Sequence, residues 1–169
     1  YTSQYLEEFT ERIRLDGRNI SEEELIAYTE RVKLAVESME ADGMNIPTIF
    51  EIVTSVAFLY YSEQPCDIVV LEVGMGGRLD ATNIIREAEI SVITVIDLDH
   101  VEYLGDTIGK IAYEKAGIIK DGGRVVVFPQ EPEAMSVFET VCRERSAELL
   151  KLDENSLTSE ENSLKGQTF

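Results

Sequence analysis

Three residues stand out because each is a reactive type in a place where that type is costly. Glu72 follows the apolar run Ile68-Val69-Val70-Leu71 and opens Val73-Gly74-Met75-Gly76-Gly77-Arg78-Leu79-Asp80-Ala81-Thr82-Asn83. A carboxylate at the end of a buried strand, followed by three glycines, is expensive unless it holds something. The plain alternative is a Gly-rich turn in which Glu72 caps a helix. His100 is the only histidine and closes Asp97-Leu98-Asp99-His100, just past the run Val92-Ile93-Thr94-Val95-Ile96. A lone histidine is more often a satisfied structural residue than a ligand. This one shares with Glu72 a place just beyond the carboxyl end of a core strand, which moves it towards a site. A carboxylate and an imidazole suit a divalent cation, although magnesium usually prefers oxygen. Lys115 is the third. Apolar residues at Ile108, Ile111, Ala112, Ala116 and Ile119 make one stripe of a helix, and Lys115 falls on it. Either it snorkels at the stripe's edge, or it is a desolvated amine available for chemistry.

The glycine loop excludes one cofactor and leaves another open. A dinucleotide fingerprint needs glycine at the first, third and sixth positions, and after Gly74 and Gly76 the sixth is Leu79. An S-adenosylmethionine-dependent methyltransferase would open with an acid and then alternate glycines. Glu72, Gly74 and Gly76 fit that pattern, with Arg78 where the third glycine belongs. A non-catalytic interaction domain would leave the coincidence of Glu72, His100 and Lys115 without a reason.

These residues need a scaffold. Asp16-Gly17 between Arg12–Leu15 and Arg18–Ile20 predicts a two-residue hairpin. Ser21 with Glu24, and Thr48 with Glu51, are capping boxes opening helices to about Met39 and Ser62, the second largely buried. Thereafter short β-branched runs at 68–71, 92–96 and 125–128 alternate with a helix from Thr107 to about Ile119, ended by Asp121-Gly122-Gly123. A helix at about Pro132–Glu148 and a strand at Leu149–Leu152 follow. Buried strands alternating with helices predict an α/β fold: three layers, a mostly parallel sheet flanked by helices, with ligands at the strands' carboxyl ends. Residues 1–152 read as one domain and the polar stretch 153–169 as an excursion from it.

Composition removes several classes. With 44% hydrophobic and 28% charged residues among 169, the chain reads as soluble and globular. No apolar run approaches membrane length. A net charge of −18 leaves no basic stripe for nucleic acid. Any anionic ligand must then be met by local cations, metal ions or helix N-termini. Cys66 and Cys142 have no disulfide or metal spacing, which suits a reducing cytoplasm.

Taken together, Tyr1-Thr2-Ser3, Glu11-Arg12-Ile13-Arg14, Pro47-Thr48-Ile49-Phe50-Glu51, Leu71–Asn83, Leu98-Asp99-His100, Tyr103–Thr107 and Glu114–Lys120 are similar, in order, to segments of a known family. The chain resembles the folylpolyglutamate synthase and dihydrofolate synthase family, relatives of the Mur ligases, over nearly everything up to about residue 128. The resemblance implies an incomplete central ATPase domain of an ATP- and magnesium-dependent ligase. Such an enzyme activates a folate or dihydropteroate carboxylate as an acyl phosphate, which the amine of L-glutamate attacks. It implies magnesium at Ser3, Glu72 and His100, and a carbamylated lysine at Lys115. It implies a pterin pocket at Thr48, Phe50, Asp80 and Ala81, and a monomeric cytoplasmic parent. The family's phosphate loop belongs upstream of Tyr1, so nucleotide-binding residues are expected to be lacking here. One departure is local: Gln4 and Tyr5 stand where the family has proline and then histidine or an aromatic residue.

Overall fold

The computed structural model describes residues 1–153, 161–163 and 166–168. The chain forms two compact units, one of Tyr1–Met75 with Asp80–Ile84 and one of Gly76–Leu79 with Ile85–Phe169.

In the first unit, a 3-10 turn Phe9–Arg12 leads into β1 (Arg14–Leu15) and β2 (Arg18–Asn19), paired antiparallel with Leu15 opposite Arg18. Asp16 and Gly17 both have positive φ, at 50° and 77°, as a primed hairpin turn requires. The strands are shorter than predicted, because Arg12 belongs to the 3-10 turn. Helices α1 (Glu22–Ala41) and α2 (Ile49–Glu63) start where the capping boxes place them, and both boxes are formed. One face of α2 is buried, with Val53, Val56, Ala57 and Tyr60 packed around Ile13 and Ile20 of the hairpin. Its first residue, Ile49, stays 77% exposed.

The predicted strand Ile68–Leu71 is not formed. Its main chain meets one residue, Tyr1, whose nitrogen donates to the Val70 carbonyl at 2.8 Å and whose carbonyl accepts from the Glu72 N–H at 3.1 Å. A strand needs a repeating ladder, and the bonds at Val70 and Glu72 do not repeat along the run among the described residues. Ile68 and Val70 are each 78% exposed rather than buried.

The second unit carries the parallel sheet. Strands β3 (Ser91–Ile93), β4 (Arg124–Val127) and β5 (Glu148–Lys151) lie in that order, with Ser91 opposite Val125 and Val125 opposite Leu149. A short helix α3 (Val101–Leu104) and α4 (Ile108–Ala116) join β3 to β4, and α5 (Pro132–Glu144) joins β4 to β5. The core is Ile111, Ala112, Ala116, Ile119, Val125, Val127 and Phe138, all fully buried. Strand β3 ends at Ile93, earlier than predicted. Beyond it the Gln130 side chain takes over the neighbour's part, accepting from Ile96 N–H at 3.0 Å and donating to the Thr94 carbonyl at 3.2 Å. Helices α4 and α5 stop at Ala116 and Glu144, short of Ile119 and Glu148. In the polar stretch, β6 (Glu161–Ser163) pairs antiparallel with β7 (Gly166–Thr168). The remainder of the predicted excursion lies outside the described residues.

Candidate active site

Ser3 and Glu72, 69 residues apart, are brought together in the first unit: the Ser3 N–H donates to Glu72 Oε2 at 2.7 Å. The Tyr1 bonds to Val70 and Glu72 fix the register of that contact. No hydrogen-bond partner among the described residues engages the Ser3 hydroxyl or Glu72 Oε1. A serine hydroxyl and a solvent-exposed carboxylate, on residues joined through the Ser3 N–H, are the hard oxygen types that magnesium takes, one or two from protein while it keeps its waters. A cleft of about 260 Å³ opens beside them, lined in part by Thr2, Gln4, Tyr5, Glu11 and Glu72. Gln4, which stands where the family pattern has proline, and Tyr5 after it thus line the cleft next to Glu72.

The residues expected around the pterin have local work of their own. Thr48 is the N-cap of α2, its hydroxyl shared between Glu51 N–H and the Glu51 carboxylate. The Phe50 ring lies on Gly74 so closely that a Cβ there would stand 2.5 Å from Cζ. Asp80 accepts from the N–H groups of Gly74 and Met75 at 3.0 Å each, and from the Thr82 N–H at 2.9 Å and the Thr82 hydroxyl. Its carboxylate therefore knots the glycine turn. Ala81 begins the 3-10 turn Ala81–Ile84 that follows.

His100 and Lys115 belong to the second unit. His100 has φ 50° and ψ 37°, left-handed backbone that a non-glycine residue occupies at a strain of about 1–3 kcal/mol. Its own N–H donates to Asp99 Oδ1 at 2.7 Å, and its Nε2 stands 3.6 Å from Asp99 Oδ2. The imidazole is about half exposed, so the strain is not a consequence of core packing. Lys115 is half-buried at the edge of the α4 stripe, and its ammonium has no hydrogen-bond or ion-pair partner among the described residues. The same helix end is held by Arg78. Its N–H donates to the Glu114 carbonyl at 2.8 Å and its guanidinium grips the Glu114 carboxylate, with Nη2 3.0 Å from Oε1. Among the described residues no cluster of three or more His, Cys, Asp or Glu is suited to hold a metal. No described helix is long and apolar enough to cross a membrane.

Sequence reasoning missed Arg12 and the Asp80 knot. Asp80 carried a signal, since an aspartate two residues before a threonine in a Gly-rich turn is an Asx-turn pattern. Arg12 carried none beyond its place in Glu11-Arg12-Ile13-Arg14, because its contacts depend on the fold.

Comparison with known proteins is consistent with this arrangement. The Mur ligase middle domain model matches residues 18–167. The chain is 41% identical over 165 residues to a Bacillus subtilis protein described as dihydrofolate synthase/folylpolyglutamate synthase, covering 97% of this chain and 38% of that protein. A Mycobacterium tuberculosis folylpolyglutamate synthase solved with ADP and AMPPCP superposes with a TM-score of 0.84 at 36% identity, over 98% of this chain and 39% of that one. A folylpolyglutamate synthase–AMPPCP–folate complex gives 0.85 at 35% identity, over 91% and 38%. The chain spans less than two fifths of the length of each. The methyltransferase reading finds no support in these matches. This chain belongs to the Mur ligase middle-domain family.

Proposed function

We propose that this chain is the metal- and folate-side portion of an ATP-dependent carboxylate–amine ligase that adds L-glutamate to folate, to dihydropteroate, or to both. The observation that supports the reading is the contact of the Ser3 N–H with the Glu72 carboxylate, which holds a hydroxyl-bearing residue against an acidic one beside a cleft that Glu72 lines. In this reading the γ-phosphoryl of ATP passes to the folate carboxylate. The amine of glutamate then attacks the acyl carbon, the C–O bond to phosphate breaks, and the amide, ADP and phosphate leave with one proton released. Magnesium, when bound, neutralises charge on the phosphate oxygens during transfer. Ser3, Glu72 and His100 are the residues that would hold it. Lys115, as the neutral amine, adds through its nitrogen to carbon dioxide and releases one proton, giving a carbamate that is an anionic oxygen donor. Thr48, Phe50, Asp80 and Ala81 border the pterin, Asp80 by shaping the turn. Residues 1–152 act as one functional domain of a monomeric cytoplasmic enzyme.

The test is an assay of the complete enzyme with ATP, magnesium, glutamate and each acceptor. The expected product is the acceptor lengthened by one glutamate, with one ADP formed per amide. ATP hydrolysis without amide on either acceptor would reject the reading. Glu72→Gln should lower turnover about 100-fold or more, as loss of a charge-stabilising ligand does, while changing stability by less than about 0.5 kcal/mol, as exposed substitutions do.

A further inference from the structure

Arg12 takes no part in the chemistry above, yet its surroundings are unusual. Its guanidinium carbon lies 5.8 Å from the centre of the Tyr5 ring and 5.4 Å from that of Phe9. The two rings meet edge to face, 5.7 Å apart. Nη2 donates to the main-chain carbonyl of Ser3. The Arg12 carbonyl accepts from the Thr2 N–H at 2.9 Å. Arg12 therefore grips the chain on both sides of the Ser3 N–H that meets Glu72. The side chains of the segment are open to solvent, with Tyr5 48% and Leu6 95% exposed.

Packing alone accounts poorly for an arginine here. Its Nε is buried with no hydrogen-bond partner among the described residues. An unpaired buried donor costs about 1–3 kcal/mol, which a methionine of similar length lying against the same rings would avoid. The Ser3 carbonyl bond is what the guanidinium adds. A hydrogen bond from a charged donor contributes about 1.5–3 kcal/mol, enough to offset that cost.

We infer that Arg12 is a positioning residue, clamping Thr2 and Ser3 so that the Ser3 hydroxyl and the Glu72 carboxylate hold one divalent cation together. The inference rests on the metal role proposed above for Ser3 and Glu72. The test uses the complete enzyme with Mn²⁺ as the probe, its binding followed by electron paramagnetic resonance at saturating AMPPCP. Glu72→Gln and Ser3→Ala should weaken Mn²⁺ binding, and Arg12→Met should weaken it about 10- to 100-fold, the usual effect of removing a group that orients a ligand. Arg12→Lys, which keeps one donor to the carbonyl, should recover part of that loss. In the Ser3→Ala background, Arg12→Met should add less than about twofold, since coupled residues are not additive. Additive effects would mean that Arg12 serves the fold in general, and would overturn the inference. Weakening by Glu72→Gln with unchanged affinity in Arg12→Met would overturn it while leaving the metal reading intact. Unchanged affinity in Glu72→Gln would overturn both. If Arg12→Met fails to fold, Arg12→Lys decides: several-fold weaker Mn²⁺ binding at unchanged thermal stability is expected, and unaltered binding would overturn the inference.

Discussion

Asp80, assigned to the pterin pocket only in the proposal above, has a structural role that its hydrogen bonds define. Its two oxygens already receive four donors from Gly74, Met75 and Thr82. A carboxylate has about four lone-pair sites, so little capacity is left for a ligand. Asp80→Asn replaces one acceptor oxygen by a donor and sets it against N–H groups. Because hydrogen bonds to charged groups are worth about 1.5–3 kcal/mol, the variant should lose roughly that much stability, read as a lower urea midpoint at unchanged slope. An unchanged midpoint with weaker folate binding would instead make Asp80 a direct ligand. Lys115 differs in kind: without a partner among the described residues, it adds little to stability, and its replacement should be felt in turnover.

At the scale of elements, two devices fix local shape, one in each unit. The first is the turn at 6–8, whose N–H groups from Leu6, Glu7 and Glu8 all donate to the Glu11 carboxylate at 2.9–3.1 Å. These bonds, that from Leu6 foremost, hold the Glu11 carboxyl below its ordinary value of 4.5. A depressed folded pKa means a contribution fully present above the ordinary glutamate value and lost as pH falls through the folded one. Wild type should therefore exceed Glu11→Gln in melting temperature at neutral pH. The gap should close below about pH 4, in the range where carboxylates protonate. A gap independent of pH would show that the charge of Glu11 is irrelevant to the turn. The second device is the seat of Gly76–Leu79 on the end of α4. A Cβ on Gly117 would stand 2.3 Å from Arg78 Cα, and one on Gly77 would stand 2.9 Å from the Glu114 carbonyl oxygen. Gly117 has φ −57°, so the constraint is space and not conformation. Gly117→Ala should lower stability by about 1–3 kcal/mol through overpacking, measured by denaturant unfolding. Near-zero change would mean that the turn can lift off the helix freely.

For the molecule as a whole, charge is the dominant fact. Acidic residues outnumber basic ones 33 to 15. Apart from Arg78–Glu114, whose carboxylate is partly buried, the ion pairs seen among the described residues, such as Arg31–Glu63 and Lys110–Asp106, are exposed, and such pairs contribute about 0–1 kcal/mol each. Salt weakens these pairs and also screens the surplus repulsion, and with so large an excess the second effect should win. The melting temperature should rise between about 10 mM and 300 mM NaCl, a span over which the Debye length shrinks several-fold. A fall would show that specific pairs outweigh the net charge.

The sequence by itself determined the elements whose signals are local. Ser21 and Thr48 start helices because each carries its own reciprocal glutamate three residues on. Asp16-Gly17 turns the chain because both residues tolerate positive φ. Runs of β-branched residues marked β3 and β4, and the family resemblance rested on motifs that can be read without a fold. What only the tertiary structure decided is whatever needs a distant partner. Ile68–Leu71 has strand composition, but its main chain is met at Val70 and Glu72 by Tyr1 without a repeating ladder among the described residues. Strand β3 stops where the Gln130 side chain replaces a strand. Helices α4 and α5 end before their apolar periodicity does. Arg145 reaches back to the Gly117 and Ile119 carbonyls, satisfying groups that a longer helix would have paired. The meeting of Ser3 with Glu72, and the grip of Arg12 on Ser3, follow from no pattern of spacing. They depend on the hairpin and the Tyr1 bridge folding residues 1–12 back upon residues 70–72, a placement that loop closure and core packing fix and local propensity cannot.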